Sequence, residues 1–224
     1  MITAELHCHT RFSKDSLMNL DRMLAVCKRK KIDRIAITDH NTIQGALQAK
    51  EIDPNRVVIG EEISTLEGEL LAYFVQEEVT SGLSPEDTIE NLHEQGAFIS
   101  VAHPFDRYRL GHWKLESLER IVPLIDAIEI YNARCIHDAD NRKAQWFAHK
   151  WGIAGTVGSD AHTIMEIGRT TLFLAEFDDG ESLKRSLKTA VADNHHSPPW
   201  IHLTSRYATS VKNILKLISR GNTS

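Results

Sequence analysis

Apolar residues in this chain fall into short, β-branched runs, and between them lie longer stretches where apolar positions recur at helical spacing. Ala4 to Cys8 reads as a strand, and Leu20, Met23, Leu24 and Cys27 predict a helix from about Asn19 to Lys31. Arg34 to Thr38 is a second strand, closed by Asp39, His40 and Asn41. Val57 to Gly60 runs into Glu61 and Glu62, and Leu70 to Val75 predicts a neighbouring strand. Ser84 followed by Pro85 opens a helix that should stop near Gly96. Ala97 to Ala102 is a buried strand ending at His103 and Pro104. A helix over Leu115 to Ile125 feeds the strand Ala127 to Tyr131, and a helix over Asp138 to Trp151 stops at Gly152. The strand Ile153 to Val157, the loop Gly158 to His162 and the strand Thr170 to Leu174 follow. Val211, Ile214, Leu215 and Ile218 share one helical face, which predicts a last helix packed on the body.

Alternating strands and helices predict an α/β fold with a parallel sheet covered by helices, closed as a barrel or open and doubly wound. Either fold places function at the C-terminal strand ends. Those ends carry His7, His9, His40, Glu62, His103, Asp160 and His162. A barrel gathers its strand ends into one ring, whereas an open sheet spreads them along a line. No glycine-rich phosphate loop follows the first strand, so the barrel is the better reading. No Pro/Gly/Ser-rich linker and no repeat divides the sequence. The expectation is one domain over residues 1–224, with 200–224 a C-terminal extension packed on it.

Composition narrows the chemistry. A formal net charge of -5 disfavours a generic polyanion-binding surface, so a phosphate substrate needs local cations, and no stable nucleic-acid partner is expected. Three cysteines, Cys8, Cys27 and Cys135, are too few and odd in number for a disulfide scaffold and point to a reducing compartment. The first residues lack a secretory leader's pattern, and no apolar run approaches the roughly 20 residues that span a bilayer, so a cytoplasmic protein without membrane contact is expected.

His7 and His9 alternate with Cys8 on a strand, so both imidazoles face one side and could share a divalent ion. Asp15 is either a turn or capping residue or a ligand, and His40 either caps a helix or binds metal, with Asp39 placed to orient its neighbours. Only one of Glu61 and Glu62 can face inward. His103 and the pair Asp160 and His162 each follow an apolar strand. Read singly, each has a structural explanation. His93, His112, His149, His195, His196 and His202 lie in helices, in a loop or beyond these motifs, and are not expected to bind metal.

In order, the motifs run His-x-His, Asp, Thr-Asp-His, Gly-Glu-Glu, Ala-His-Pro and Gly-Ser-Asp-Ala-His. From His7 to about Arg169 this order resembles the polymerase and histidinol phosphatase (PHP) family. The resemblance implies a distorted seven-stranded, TIM-like β/α barrel with a cluster of two or three divalent ions, zinc, manganese or iron. It implies that His7, His9, Glu62 and Asp160 hold one ion, with Glu62 bridging to a second that His103 joins, and that Asp15, His40 and His162 hold a third. The remaining ligand of the second ion falls on Cys135 or His137; His137 is preferred, because an imidazole tolerates all three metals while a thiolate favours zinc.

The function so implied is a metal-dependent phosphoesterase acting on a small phosphorylated metabolite or nucleotide through a metal-bridging hydroxide. Asp160, His162 and His103 would act through the metals, and Arg134 and Arg169 would bind the phosphate. The loop Phe105 to Trp113, with Arg107, Tyr108 and Arg109, is read either as packed surface or as a platform that stacks on a ring and pairs with phosphate. A nuclease on short single strands, an amidohydrolase and a non-catalytic metal-binding module are the competing readings.

Overall fold

In a computed structural model, which describes residues 1–109 and 112–221, a mixed sheet of nine strands winds into a nearly closed barrel. The strands are β1 (Ile2–Cys8), β2 (Arg34–Ile37), β3 (Val57–Ser64), β4 (Glu69–Tyr73), β5 (Phe98–Val101), β6 (Ala127–Asn132), β7 (Ala154–Gly158), β8 (Thr170–Leu174) and β9 (Val191–Asn194). The helices are α1 (Leu20–Lys30), α2 (Gln44–Ile52), α3 (Pro85–Glu94), α4 (Leu115–Ile121), α5 (Asp138–Trp151), α6 (Gly180–Leu187) and α7 (Ile201–Gly221). The strand order is β7-β6-β5-β4-β3-β2-β1-β8-β9. His9 N–H donates to the Ala161 carbonyl at 2.8 Å, and Ala161 N–H to that of His7 at 3.2 Å, so the segment after β7 closes onto β1.

Nine strands replace the expected seven, and the sheet is not wholly parallel. β3 and β4 form an antiparallel hairpin, β4 runs antiparallel to β5, and β8 lies antiparallel between β1 and β9. β9 is exposed along its whole length, so it carries no buried apolar pattern that would mark it.

Strand alternation divides the core. In β2, Ala36 joins an apolar cluster that draws on every strand from β1 to β8 and is covered by α6, while Ile35 and Ile37 pack outward under α1 and α2. A further cluster seats α3, α4 and α5 on β3 to β6. Helix ends follow local chemistry. Asn19 accepts from Arg22 N–H and Ser84 from Asp87 N–H, and Gly152 closes α5 at φ 64°.

The last helix packs differently from expectation. Ile201 and Ala208 are its buried apolar residues, whereas Ile214, Leu215 and Ile218 are more than half exposed. The face that meets the barrel is instead the one bearing Ser205 and Lys212. Lys212 donates to the carbonyls of Arg11, at 2.6 Å, and Ser13. Residues 222–224 of the extension, and Leu110 and Gly111 of the loop 105–113, lie outside the described residues. Among the described residues, no helix is long and apolar enough to cross a membrane.

Candidate metal centre

One rim of the barrel collects the acids and imidazoles. β1 delivers His7 and His9, the turn after β2 delivers His40, β3 delivers Glu62, and the loops after β5 and β7 deliver His103, Asp160 and His162. Asp15 reaches in from the loop between β1 and α1. Inward and outward faces separate the two glutamates of β3. Glu62 joins the cluster, while Glu61 turns away and accepts from Val79 N–H at 3.2 Å; burial pushes its carboxyl up to about 7.

The spacing within the cluster is that of donors able to share one divalent ion. Nε2 of His7 and Nε2 of His9 stand 3.1 Å apart. Glu62 Oε2 lies 3.4 Å from the first and 3.3 Å from the second, and Asp160 Oδ1 lies 3.6 and 3.2 Å away. Four donors at 2.0–2.1 Å from one tetrahedral ion stand about 3.3 Å from one another. A second corner brings His103 Nε2 to 2.8 Å from Glu62 Oε1 and 3.6 Å from Glu69 Oε2. In a third, Asp15 Oδ2 lies 3.4 Å from His40 Nε2 and 3.1 Å from His162 Nε2.

Buried polar atoms are almost always paired, so unpaired ones need a cause. Among the described residues such atoms occur on Glu61, Tyr73, Arg134, Asp140, Glu166, Thr170 and Ser197, and five more fall on this one cluster: Asp15 Oδ1, His40 Nδ1, Glu62 Oε2, Asp160 Oδ1 and His162 Nε2. The donor set therefore fits divalent ions. Backbone strain coincides with it, for Asp160 is held at φ 51° and His103 at φ 25°, a region that non-glycine residues seldom occupy.

Surrounding groups fix the imidazoles. His7 Nδ1–H donates to Glu129 Oε1 at 2.9 Å, and the other oxygen of Glu129 accepts from His103 N–H at 2.8 Å. His9 Nδ1–H donates to Ser13 Oγ at 3.0 Å, and Ser13 donates to Asp39, which also accepts twice from Thr10. Both Nε2 atoms are thereby turned to where an ion would sit, although for His7 burial is outweighed by Asp160, Glu129 and Glu62, which raise it well above its ordinary range. Burial, reinforced by His162 and His40, holds His9 well below its ordinary range, so it stays neutral as a ligand must. Burial pushes the Glu62 and Asp160 carboxyls up, but His40 and His7 around the first, and Arg109 and His7 around the second, pull them further down. Both are carboxylates at neutral pH. For His40, burial is outweighed by Glu62 and Asp15, which lift it to about 9.

Of the expected site residues, the structure converges His7, His9, Asp15, His40, Glu62, His103, Asp160 and His162. It does not bring in His137, which is exposed at the start of α5 and meets the Tyr108 hydroxyl at 3.1 Å. Cys135 is buried near Asp106, Arg109, Glu129 and Asp160, and burial first of all raises its thiol. Among the described residues neither belongs to a convergent donor group, and the corner assigned to them is filled by Glu69, grouped with His40 and Glu62. Arg169 lies beside Lys30 and is not among the residues that line the cleft above the cluster. Arg134 is at the site but buried, with Nε 3.2 Å from Glu166 Oε1, Nη1 2.7 Å from His162 Nδ1, and Nη2 donating to Ser205 Oγ at 2.8 Å.

Glu69, Glu129 and Arg206 had no site role in the sequence reading, and Arg109 entered it only as part of the loop 105–113. Glu129 left a trace, because a lone carboxylate in the apolar strand Ala127 to Tyr131 must find partners once buried. Arg109 comes from the loop after β5 and ion-pairs with Asp160 and Asp106. Above the cluster opens a cleft of about 470 Å³ whose walls include Lys14, Tyr108, Arg109, Arg134, His202 and Arg206. His202, read from sequence as unconnected, reaches it from α7.

A family model described as PHP-associated matches residues 138–190. Two uncharacterized proteins of Methanocaldococcus jannaschii are similar in sequence. One is 39% identical over 146 residues, 58% of this chain and 81% of that protein. The other is 32% identical over 177 residues, 78% of this chain and 71% of that protein. In structure, the chain resembles a two-domain protein from Bacteroides vulgatus described as containing a PHP-like metal-dependent phosphoesterase. The TM-score is 0.72 at 18% identity, over 87% of this chain and 65% of that one, so the likeness is one of fold and spans just under two thirds of that protein.

Proposed function

This chain belongs to the PHP family, and from that membership we propose that it hydrolyses phosphate esters of small molecules at the barrel rim. The observation that carries the proposal is the mutual spacing of His7, His9, Glu62 and Asp160, whose facing donor atoms, with Glu62 Oε2 and Asp160 Oδ1 unpaired, have the separations of a tetrahedral ion site. These four would hold one divalent ion, Glu62 with His103 and Glu69 a second, and Asp15, His40 and His162 a third. Nitrogen and carboxylate donors without a thiolate suit zinc, manganese or iron.

Bound there, such ions acidify a water and neutralise charge on phosphoryl oxygens. The chain's own residues do the rest. Glu129 and Ser13 hold the imidazoles of His7 and His9 in the ligating orientation. Lys14, Arg109 and Arg206 supply donors on the cleft walls for a phosphate dianion, which an acidic chain needs to gather locally. Tyr108 and Ile136 give the lip an apolar surface for the organic part of the ester. A cleft of about 470 Å³ suits a metabolite or mononucleotide better than a polymer groove. That shape supports a small substrate over the nuclease reading.

The test is phosphate release by protein loaded with Zn²⁺ or Mn²⁺, measured across phosphomonoesters, phosphodiesters and short oligonucleotides. Turnover of monoesters, reduced at least about a hundredfold in Asp160→Ala and His103→Ala, is expected. Turnover unchanged from the wild type in both variants, or cleavage of oligonucleotides alone, contradicts the proposal.

A further inference from the structure

The face of α7 turned away from the barrel carries a repeat. Ile201, Ser205, Ala208 and Lys212 meet the barrel. On the opposite side Trp200, Leu203, Tyr207, Ser210, Ile214 and Leu217 follow one another at alternating steps of three and four residues. That spacing is a heptad seam, with Trp200, Tyr207 and Ile214 in one core position and Leu203, Ser210 and Leu217 in the other. It runs for about 25 Å. Its apolar members are 47–68% exposed. With Ile218 beside them they leave on the order of 700 Å² in water, more than the largest apolar patch of a typical monomer and close to the roughly 800 Å² that each partner buries in a stable complex. Along one flank of the seam, Thr204, Tyr207 and Ala208 border a groove of about 240 Å³ whose other side includes Leu17, Met18 and Ile164.

We propose that two copies of the chain pair through this face, α7 against α7 and antiparallel, with Leu203 facing Ile214, Tyr207 facing Ser210 and Trp200 facing Leu217 across the two-fold. The inference is independent of the phosphoesterase reading. Side-chain size sets the direction. A parallel pair would stack Tyr207 on Tyr207 and leave Ser210 opposite Ser210, a bulge next to a gap, whereas the antiparallel pair seats each Tyr207 over a Ser210. Charge agrees with it. α7 has no acidic residue, and the cation beside the seam is Arg206, which antiparallel pairing sets next to Asn213, whose amide oxygen accepts from a guanidinium. No like charges meet there. On the other flank, Val211 of the second copy comes opposite Thr204 and covers the groove. An anionic bilayer fits the face less well, because a helix lying on one borders its apolar face with cations that reach the headgroups. Here Lys212 donates to the carbonyls of Arg11 and Ser13, Lys216 lines a cleft with Arg11 and Lys14 on the barrel side, and the whole chain has a net charge of -5. The same helix carries His202 and Arg206 to the cleft above the acids and imidazoles. Pairing therefore clamps onto the rim a segment that the barrel itself holds through Ile201, Ala208 and polar contacts.

Sedimentation equilibrium of the full chain at rising concentration tests the pairing. A mass of twice the 25.3 kDa of one chain is expected. Leu203→Glu, at a position exposed in the single chain, should weaken the dimer at least about thirtyfold and leave the circular dichroism unchanged. A monomer at every concentration, or a dimer that Leu203→Glu does not weaken, overturns the proposal. A second measurement reads the direction and does not depend on that variant. Cys8, Cys27 and Cys135 are buried, so mild oxidation of a mixture of Leu203→Cys and Ile214→Cys chains should join one of each by a disulfide. Leu203→Cys alone should stay unjoined, because its two copies lie about 16 Å apart along the axis of the antiparallel pair. Joining of Leu203→Cys to itself as readily as to Ile214→Cys overturns the antiparallel arrangement. A chain that stays monomeric and co-sediments with vesicles of phosphatidylserine and phosphatidylcholine would show that a bilayer covers this face, and the proposal fails.

Discussion

At Gly158 the barrel brings two backbones together with no space for a methyl group. A Cβ there would lie 2.3 Å from His7 Cβ and 2.6 Å from Glu129 Oε1, inside the pair that orients His7. Gly158→Ala should cost about 1–3 kcal/mol of stability and lower the ion content of purified protein. Chemical denaturation and metal analysis read both effects, and an unchanged ion content would detach Gly158 from the site. Glu61, one residue from a proposed ligand, makes a contrasting prediction. Its folded value of about 7 lies above the ordinary 4.5, so the folded chain keeps a proton that the unfolded chain releases in between. Wild-type stability should therefore fall as pH rises across that window and level off above it. Glu61→Gln should gain on the wild type over the same range, by at most about 3 kcal/mol, in denaturation curves taken at several pH values. A constant difference would show that Glu61 does not titrate there. Most of the residues that converge were legible because histidine and acid at the end of an apolar strand is a readable pattern. His137 misled for a physical reason. It follows β6 as a ligand would, but α5 begins at Asp138, and the helix entry carries the imidazole outward to Tyr108.

Among elements, the hairpin of β3 and β4 matters most. Its antiparallel register pairs Ser64 with Glu69 and so returns Glu69 to the rim that Glu62 occupies. Sequence predicts a strand from Leu70, one residue too late, and gives Glu69 no role. Pairing geometry, not residue type, makes it a ligand candidate. Glu69→Gln should remove one ion per chain and leave the His7 and His9 ion in place, as counted by plasma mass spectrometry after dialysis. An unchanged count would leave Glu69 as a charged neighbour of His40 and His103 and an acceptor for Ser64 only. α7 was legible as a helix but not in its orientation, because its apolar stripe invited packing and the barrel instead takes the face bearing Ser205 and Lys212. β9 could not be read at all, since an exposed edge strand shows no alternation between core and solvent.

For the whole molecule, the alternation of strand and helix predicted a helix-covered sheet and the strand ends at which the candidate residues gather, and the lack of a glycine-rich loop after the first strand turned that reading to a barrel. Strand number and direction were not recoverable, because β4, β8 and β9 pair antiparallel through backbone bonds that side-chain pattern does not encode. Clustering so many carboxylates and imidazoles at one rim also has a global cost. Without ions, several buried acceptors lack partners. Saturating divalent metal should therefore raise stability against urea by about 2.7 kcal/mol for each site filled to a hundredfold excess over its dissociation constant, and chelation should reverse it. The most direct test of the account is anomalous diffraction from crystals grown with Zn²⁺. The account predicts two or three anomalous peaks at the rim, one of them within about 2.0–2.2 Å of His7, His9, Glu62 and Asp160 together. A rim that stays free of Zn²⁺, with those four side chains hydrogen-bonded to one another instead, would contradict it.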